Sequence, residues 1–309
     1  MRFLFTFLSL FISIQLLASP ESDSGIFGPT YKNILNETEK WANEYPELVQ
    51  IIDYGKSVKG RPLRMVLVMK QMHVKSRPAF LMSGSTHGNE FLAIETSLPL
   101  KLLEKQRIPG AVKNFLDHGG VFVFIPILNP DGYESREREN ANGIDLNRDW
   151  DLAETGFKGF TQPETQQLAE YLEKLTQPPF NLNFKVTVDY HCCVGAILYP
   201  WSYTKKKLPE PDLSHHIELA EIAKKFLSID YGTTGEILGY YPQGTTKDYY
   251  YSKYNSLTYT YEGRYQEENK YLESHVKWWE AIVSDTLKRI TLASERLTLL
   301  NFPFLVSFF

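Results

Sequence analysis

Cysteine is nearly absent: Cys192 and Cys193 are the two thiols in 309 residues, and they are neighbours. A relaxed bridge needs a Cα and Cβ separation that neighbours rarely offer. A disulfide framework is therefore excluded, and the folded state must rest on its core, which a chain of this length can build. Excess positive charge is also missing. There are 33 Lys and Arg against 37 Asp and Glu, a net charge of −4, so the broad basic face of a nucleic-acid binder is not there. The chain has no internal repeat, low-complexity tract or long linker. Beyond residue 17 no apolar run reaches the ~20 residues of a membrane-spanning helix.

The N-terminus does carry a pattern. Met1-Arg2 is followed by an apolar run over 3–17, small residues at Ala18-Ser19 and a polar stretch at 20–23. That is the order of a secretory signal peptide. The expectation is a signal at 1–19, one folded domain over 25–290, a tail at 291–309 and a secreted or periplasmic protein. The tail, ending in LNFPFLVSFF, reads as a final strand packed on the domain, with a sticky segment that contacts a membrane or partner as the alternative.

Hydrophobic periodicity predicts helices over 30–48, 91–105, 163–175, 212–227 and 272–290. It predicts strands over 50–54, 63–69, 78–85, 121–127, 184–190 and 257–261. Strands alternating with helices indicate an α/β domain with a mostly parallel sheet. The continuous apolar run 121–127 suits a strand covered on both faces. Polar residues gather where strands end: His87 and Glu90, Asn129 to Gly132, His191, and Glu262. Open α/β sheets carry their sites at the carboxyl ends of their strands.

His87-Gly88-Asn89-Glu90 sets an imidazole and a carboxylate three residues apart, and Gly88 lets the backbone turn tightly. His191, with Asp189 two before it, is the third candidate. Two histidines and a glutamate suit Zn²⁺ and leave a fourth position open, as in catalytic sites. Arg136 and Arg138 precede the segment 140–150. Guanidinium groups there would bind a carboxylate or an oxyanion, or would be surface charge. Glu262 closes an apolar strand and suits a general base, with an ion pair to Arg264 as the rival reading.

Taken together, THGNE (86–90), NPDGY (129–133), R-x-N (138–140), GIDLNRDW (143–150), DYHCCVGAILYPW (189–201) and TYTYEGR (258–264) resemble the zinc carboxypeptidase family, over roughly residues 30–290. The resemblance implies a single domain with a mixed, mostly parallel twisted sheet flanked by helices, and one zinc ion held by His87, Glu90 and His191. Glu262 would activate the zinc-bound water, and Arg138 would polarise the scissile carbonyl. Asn147 and Arg148 would clamp the terminal carboxylate of a peptide or peptidoglycan-peptide substrate. Tyr240, or its neighbour Tyr241, would cap the substrate. Lys247 would lie near the floor of the specificity pocket, favouring a C-terminal residue with an extra carboxylate. Asn89 and Cys192-Cys193 depart from the digestive members. A zinc deacylase of N-acyl amino acids and an inactive binder of C-terminal peptides are the alternatives.

Overall fold

The computed structural model describes residues 29–72, 74–90, 97–264 and 268–301. In chain order the elements are α1 (Tyr31–Glu44), β1 (Val49–Lys56), β2 (Pro62–Met69), β3 (Arg77–Gly84), α2 (Ser97–Lys105), α3 (Ala111–Asp117) and β4 (Val121–Ile125). Then come α4 (Pro130–Ser135), α5 (Pro163–Thr176), β5 (Leu182–Cys192), β6 (Ala196–Tyr199) and α6 (Asp212–Leu227). Last are β7 (Asp230–Thr233), α7 (Thr234–Leu238), α8 (Thr246–Tyr254), β8 (Leu257–Gly263) and α9 (Glu268–Asn301).

The described strands form one eight-stranded sheet in the order β1-β2-β4-β3-β5-β8-β6-β7. The inner four, β4, β3, β5 and β8, run parallel. Antiparallel pairs flank them. The expected mixed, mostly parallel α/β fold is what forms.

Period-two burial explains the layers. Val66, Val68, Phe80, Met82, Phe122 and Phe124 point to one face, against α2, α3, α6 and α9. Met65, Leu67, Ala79, Leu81, Val121 and Val123 point to the other, against α5 and α8. Neither face meets water, so apolar residues dominate these strands, with Arg64, Arg77 and Ser83 as polar exceptions.

Several boundaries move. The first helix ends at Glu44, because Pro46 disfavours helical geometry at Tyr45. The second helix is described only from Ser97; residues 91–96 of its expected span lie outside the described residues. The tail is not a strand as far as it is described, because α9 runs through 291–301 as helix. Residues 302–309 and the expected signal at 1–19 lie outside the described residues. Among the described residues no helix is long and apolar enough to cross a membrane. Cys192 ends β5 and Cys193 follows it directly, so the pair ties no two elements together and the core carries the fold.

Two fully buried imidazoles give the fold a defined acid limit. His216 donates from Nδ1 to the Asp212 carbonyl at 2.7 Å and accepts at Nε2 from the Thr258 N–H at 3.1 Å, so it is held neutral. His275 sits among the rings of Tyr190, Tyr261 and Trp278. Burial lowers their pKa values to about 4 and about 3. The unfolded chain takes up these protons below the ordinary value of 6.5, whereas the folded chain does not. Their contribution is complete above that pH and is lost as pH falls towards the folded values, roughly 3 kcal/mol for each by pH 4. Urea midpoints should therefore drop between pH 7 and 5, and His275→Phe should flatten the slope. An unchanged slope would count against this role.

Candidate metal centre and active site

The parallel strands converge as expected. β3 ends just before His87, β4 just before Asn129, and β5 and β8 run side by side with His191 and Glu262 as register partners. His87 and Glu90 sit in a turn, closed by the Glu90 N–H donating to the His87 carbonyl at 3.1 Å.

Three donor groups face one point. His87 Nδ1 is 2.7 Å from Glu90 Oε1, and His191 Nδ1 is 2.8 Å from Glu90 Oε2 and 3.0 Å from His87 Nδ1. All three ligand atoms lie within 4.8 Å of one another. The far side of each ring is held by a carboxylate. His87 Nε2 is 3.0 Å from Asp145 Oδ1, and His191 Nε2 is 2.7 Å from Asp189 Oδ2. With Nε2 donating outward, each Nδ1 lone pair turns towards its counterpart and towards Glu90. Such carboxylate–histidine pairs orient and strengthen metal ligands. The donor set therefore fits Zn²⁺. Burial opposes ionisation of Glu90, but His191 and His87 hold its carboxyl down at about 2.

Asp145 and Asp189 are the residues that sequence reasoning left without a role. Asp145 also accepts from the Asn147 N–H at 2.8 Å and from Arg138 Nε and Nη2 at 3.2 and 2.9 Å. One carboxylate thus fixes a ligand ring, an arginine and the turn Leu146–Arg148. Burial works against its ionisation, but His87 and Arg138 hold it well below the usual carboxylate range. Asp189 also accepts from Ser83, Thr86 and Thr246 at 2.7, 2.9 and 2.7 Å. The available signals were the carboxylate two residues before His191 and the one two residues before Asn147.

Arg138 and Glu262 both stand next to the donor group, Arg138 beside His87 and Glu90 and Glu262 beside His191 in the sheet. Arg138 Nη1 is 3.2 Å from His87 Nδ1 and 3.5 Å from Glu90 Oε1. Glu262 has no hydrogen-bond or ion-pair partner among the described residues. Burial raises its pKa above the ordinary value, with His191 opposing. The rival pairing with Arg264 does not form; that guanidinium donates to the Ser228 carbonyl at 3.4 Å. Arg136 lies over the Tyr133 ring, away from the donors.

Asn147 is buried, and its Oδ1 accepts from the Thr246 N–H at 3.0 Å. Its Nδ2 is 3.5 Å from His191 Nε2. Arg148 donates only to the Asn147 carbonyl, at 2.6 Å, and no carboxylate among the described residues pairs with it. Beneath this turn, Trp150 packs on Tyr249 and Tyr250 of α8. Lys247, next to Thr246 on α8, is 2% exposed. Tyr240 is 45% exposed in the loop before α8, outside the cluster, and Tyr241 lies under Lys205.

The fold and this cluster coincide with a known pattern. A family profile described as zinc carboxypeptidase matches residues 34–280. The chain belongs to the zinc carboxypeptidase family. It is 24% identical over 221 residues to carboxypeptidase A4 of Mus musculus, covering 62% of this chain and 50% of that protein. It is 29% identical over 238 residues to the inactive metallocarboxypeptidase ECM14 of Ajellomyces capsulatus, covering 65% and 39%. The chain thus spans half or less of the length of these curated relatives. Thrombin-activatable fibrinolysis inhibitor shares the fold, with a TM-score of 0.69 at 19% identity over 87% of this chain and 79% of that one.

Proposed function

We propose that this chain is a zinc-dependent metallocarboxypeptidase that hydrolyses an amide bond next to a free C-terminal carboxylate. One observation carries the reading. An unpartnered carboxylate, Glu262, sits beside a ligand group whose outer nitrogens are already held, with unpaired Arg148 three positions beyond Asp145.

His87, Glu90 and His191 would hold one zinc ion, which when bound supplies Lewis acidity towards a carbonyl and a water. Glu262 takes a proton from the attacking water as its oxygen adds to the carbonyl carbon, and passes that proton to the amine as the C–N bond breaks. Its raised pKa favours both roles. Arg138, oriented by Asp145, faces the developing oxyanion. Asn147 and Arg148 bind the terminal carboxylate, for which the guanidinium offers a planar fork of donors. Tyr240 covers the substrate from the exposed loop.

The presence of inactive relatives makes the ligands and base decisive. Loss of one of them would mark a binding module, and here all four stand together. The N-terminal pattern supports export, so peptides or peptidoglycan peptides outside the cytoplasm are the expected substrates.

Mass spectrometry of products, with and without a chelator, tests the reading. Chelator-sensitive loss of one C-terminal residue is expected. Cleavage of N-acyl amino acids but not of peptides would point to a deacylase instead. Arg148→Ala should raise KM for free-carboxylate substrates about 10- to 100-fold, the effect of losing a charged hydrogen bond. Equal losses on amidated substrates would remove the clamp.

A further inference from the structure

Thr246, the first residue of α8, is fully buried and tied in two directions. Its hydroxyl donates to Asp189 Oδ2 at 2.7 Å, the same oxygen that takes the His191 Nε2 proton at 2.7 Å. Its N–H donates to Asn147 Oδ1 at 3.0 Å. The hydroxyl also lies 3.4 Å from that Oδ1, but its one proton goes to the nearer, charged acceptor. One residue thus stands between a metal-ligand pair and the side chain that would bind the substrate carboxylate.

These bonds decide which way the Asn147 amide points. A backbone N–H can only donate, so the end of the amide facing Thr246 is its oxygen. Nδ2 is then turned away, 3.5 Å from His191 Nε2. That nitrogen already gives its proton to Asp189, so the contact joins two donors and is no hydrogen bond. Among the described residues the Asn147 amide protons have no acceptor and are left for a ligand. A flipped amide would present its oxygen to an incoming carboxylate and repel it. The N–H that prevents this flip needs an anchor of its own. The first N–H groups of a helix have no intrahelical acceptor, and Thr245 before it makes no side-chain cap. The Thr246 hydroxyl supplies the anchor by pinning the residue to Asp189 on β5, itself fixed by Ser83 and Thr86 at 2.7 and 2.9 Å.

We propose that Thr246 is the positioning residue of the carboxylate clamp: its hydroxyl, held by Asp189, fixes the N–H that orients Asn147, so that the amide donates to the terminal carboxylate of the substrate. This rests on the carboxypeptidase reading of the site. The carboxylate that holds a zinc-ligand ring then also holds the clamp, through one threonine.

Thr246→Val removes the hydroxyl at nearly constant shape, and Thr246→Ser keeps it. On a peptide that the zinc-loaded wild type cleaves, KM should rise about 10-fold in Thr246→Val, the worth of one charge-assisted hydrogen bond. The kcat should stay near the wild-type value, the signature of lost substrate binding. Thr246→Ser should restore KM. A wild-type KM in Thr246→Val overturns the proposal, and so does a Thr246→Ser protein as impaired as Thr246→Val. If Thr246→Val does not fold, a neutron structure of the wild type with zinc and an N-acetylated amino acid decides. The Thr246 hydroxyl proton directed at Asp189, with the Asn147 amide protons on the ligand carboxylate, upholds the proposal; any other placement of either overturns it. If no peptide is cleaved, the carboxypeptidase reading fails, and calorimetry with N-acetylated amino acids and their amides judges the clamp separately. Tighter binding of the acid than of the amide, lost in Thr246→Val and regained in Thr246→Ser, upholds it. No difference between wild type and Thr246→Val overturns it.

Discussion

Glu262→Gln should abolish most turnover while leaving the protein folded and its zinc in place. The change is nearly isosteric. The carboxylate has no hydrogen-bond or ion-pair partner among the described residues, so no structural contact is broken. Burial already opposes its charge, and a neutral amide removes that cost. Stability should be equal or slightly higher, the usual relation between a strained functional group and its neutral replacement. An amide cannot accept the proton of the attacking water. The rate should fall by about 10²- to 10⁴-fold, as for loss of a general base. Steady-state rates, metal content and thermal melting of the same preparation test this together. Near-normal turnover would remove Glu262 from the chemistry, and loss of zinc would show that it acts on the ligands instead.

Gly88→Ala should be the most damaging small substitution in the site. Gly88 sits inside the expected tight turn from His87 to Glu90, but its φ is not left-handed, so close backbone approach rather than φ freedom requires glycine there. A Cβ there would run into the backbone of Gly132 and Tyr133 and lie 2.5 Å from the Glu137 carbonyl oxygen. Backbone cannot give way as a side chain can. The Gly88 N–H also donates to the Arg138 carbonyl at 3.2 Å, so this crossing joins the His87 turn to the Arg138 loop. Forcing it apart should cost about 3 kcal/mol or more, the scale of overpacking against rigid surroundings. It should also move His87 and Glu90 relative to Asp145 and weaken zinc binding. Denaturant unfolding and competition with a metal-binding dye measure the two effects. A variant with wild-type stability and zinc affinity would contradict the crossing.

The parts of the fold legible in the sequence were those with strong periodicity. Helix α6 was expected over 212–227 and spans Asp212–Leu227, because its apolar positions recur at helical spacing. The central strands were legible because burial on both faces leaves them uninterrupted. Strands β6 and β7 have four residues each, too few for a period to show. Helix α8 escaped because its first turn buries Thr246, Lys247 and Asp248, polar residues that satisfy one another's neighbours rather than forming an apolar stripe.

The sequence by itself determined the α/β class, the site edge and the membership of the His-Glu-His group that could hold a metal, since strand ends and residue types are local properties. Only the tertiary structure decided how those groups are held. Asp145 and Asp189 reach the two imidazoles from a distant turn and from a neighbouring strand position, Gly88 meets Gly132 across a loop crossing, and Lys247 loses water without gaining an anion. Apart from the Asp189–His191 pair on β5, these are relations between segments far apart in the chain. They come into existence when the sheet brings its strand ends together.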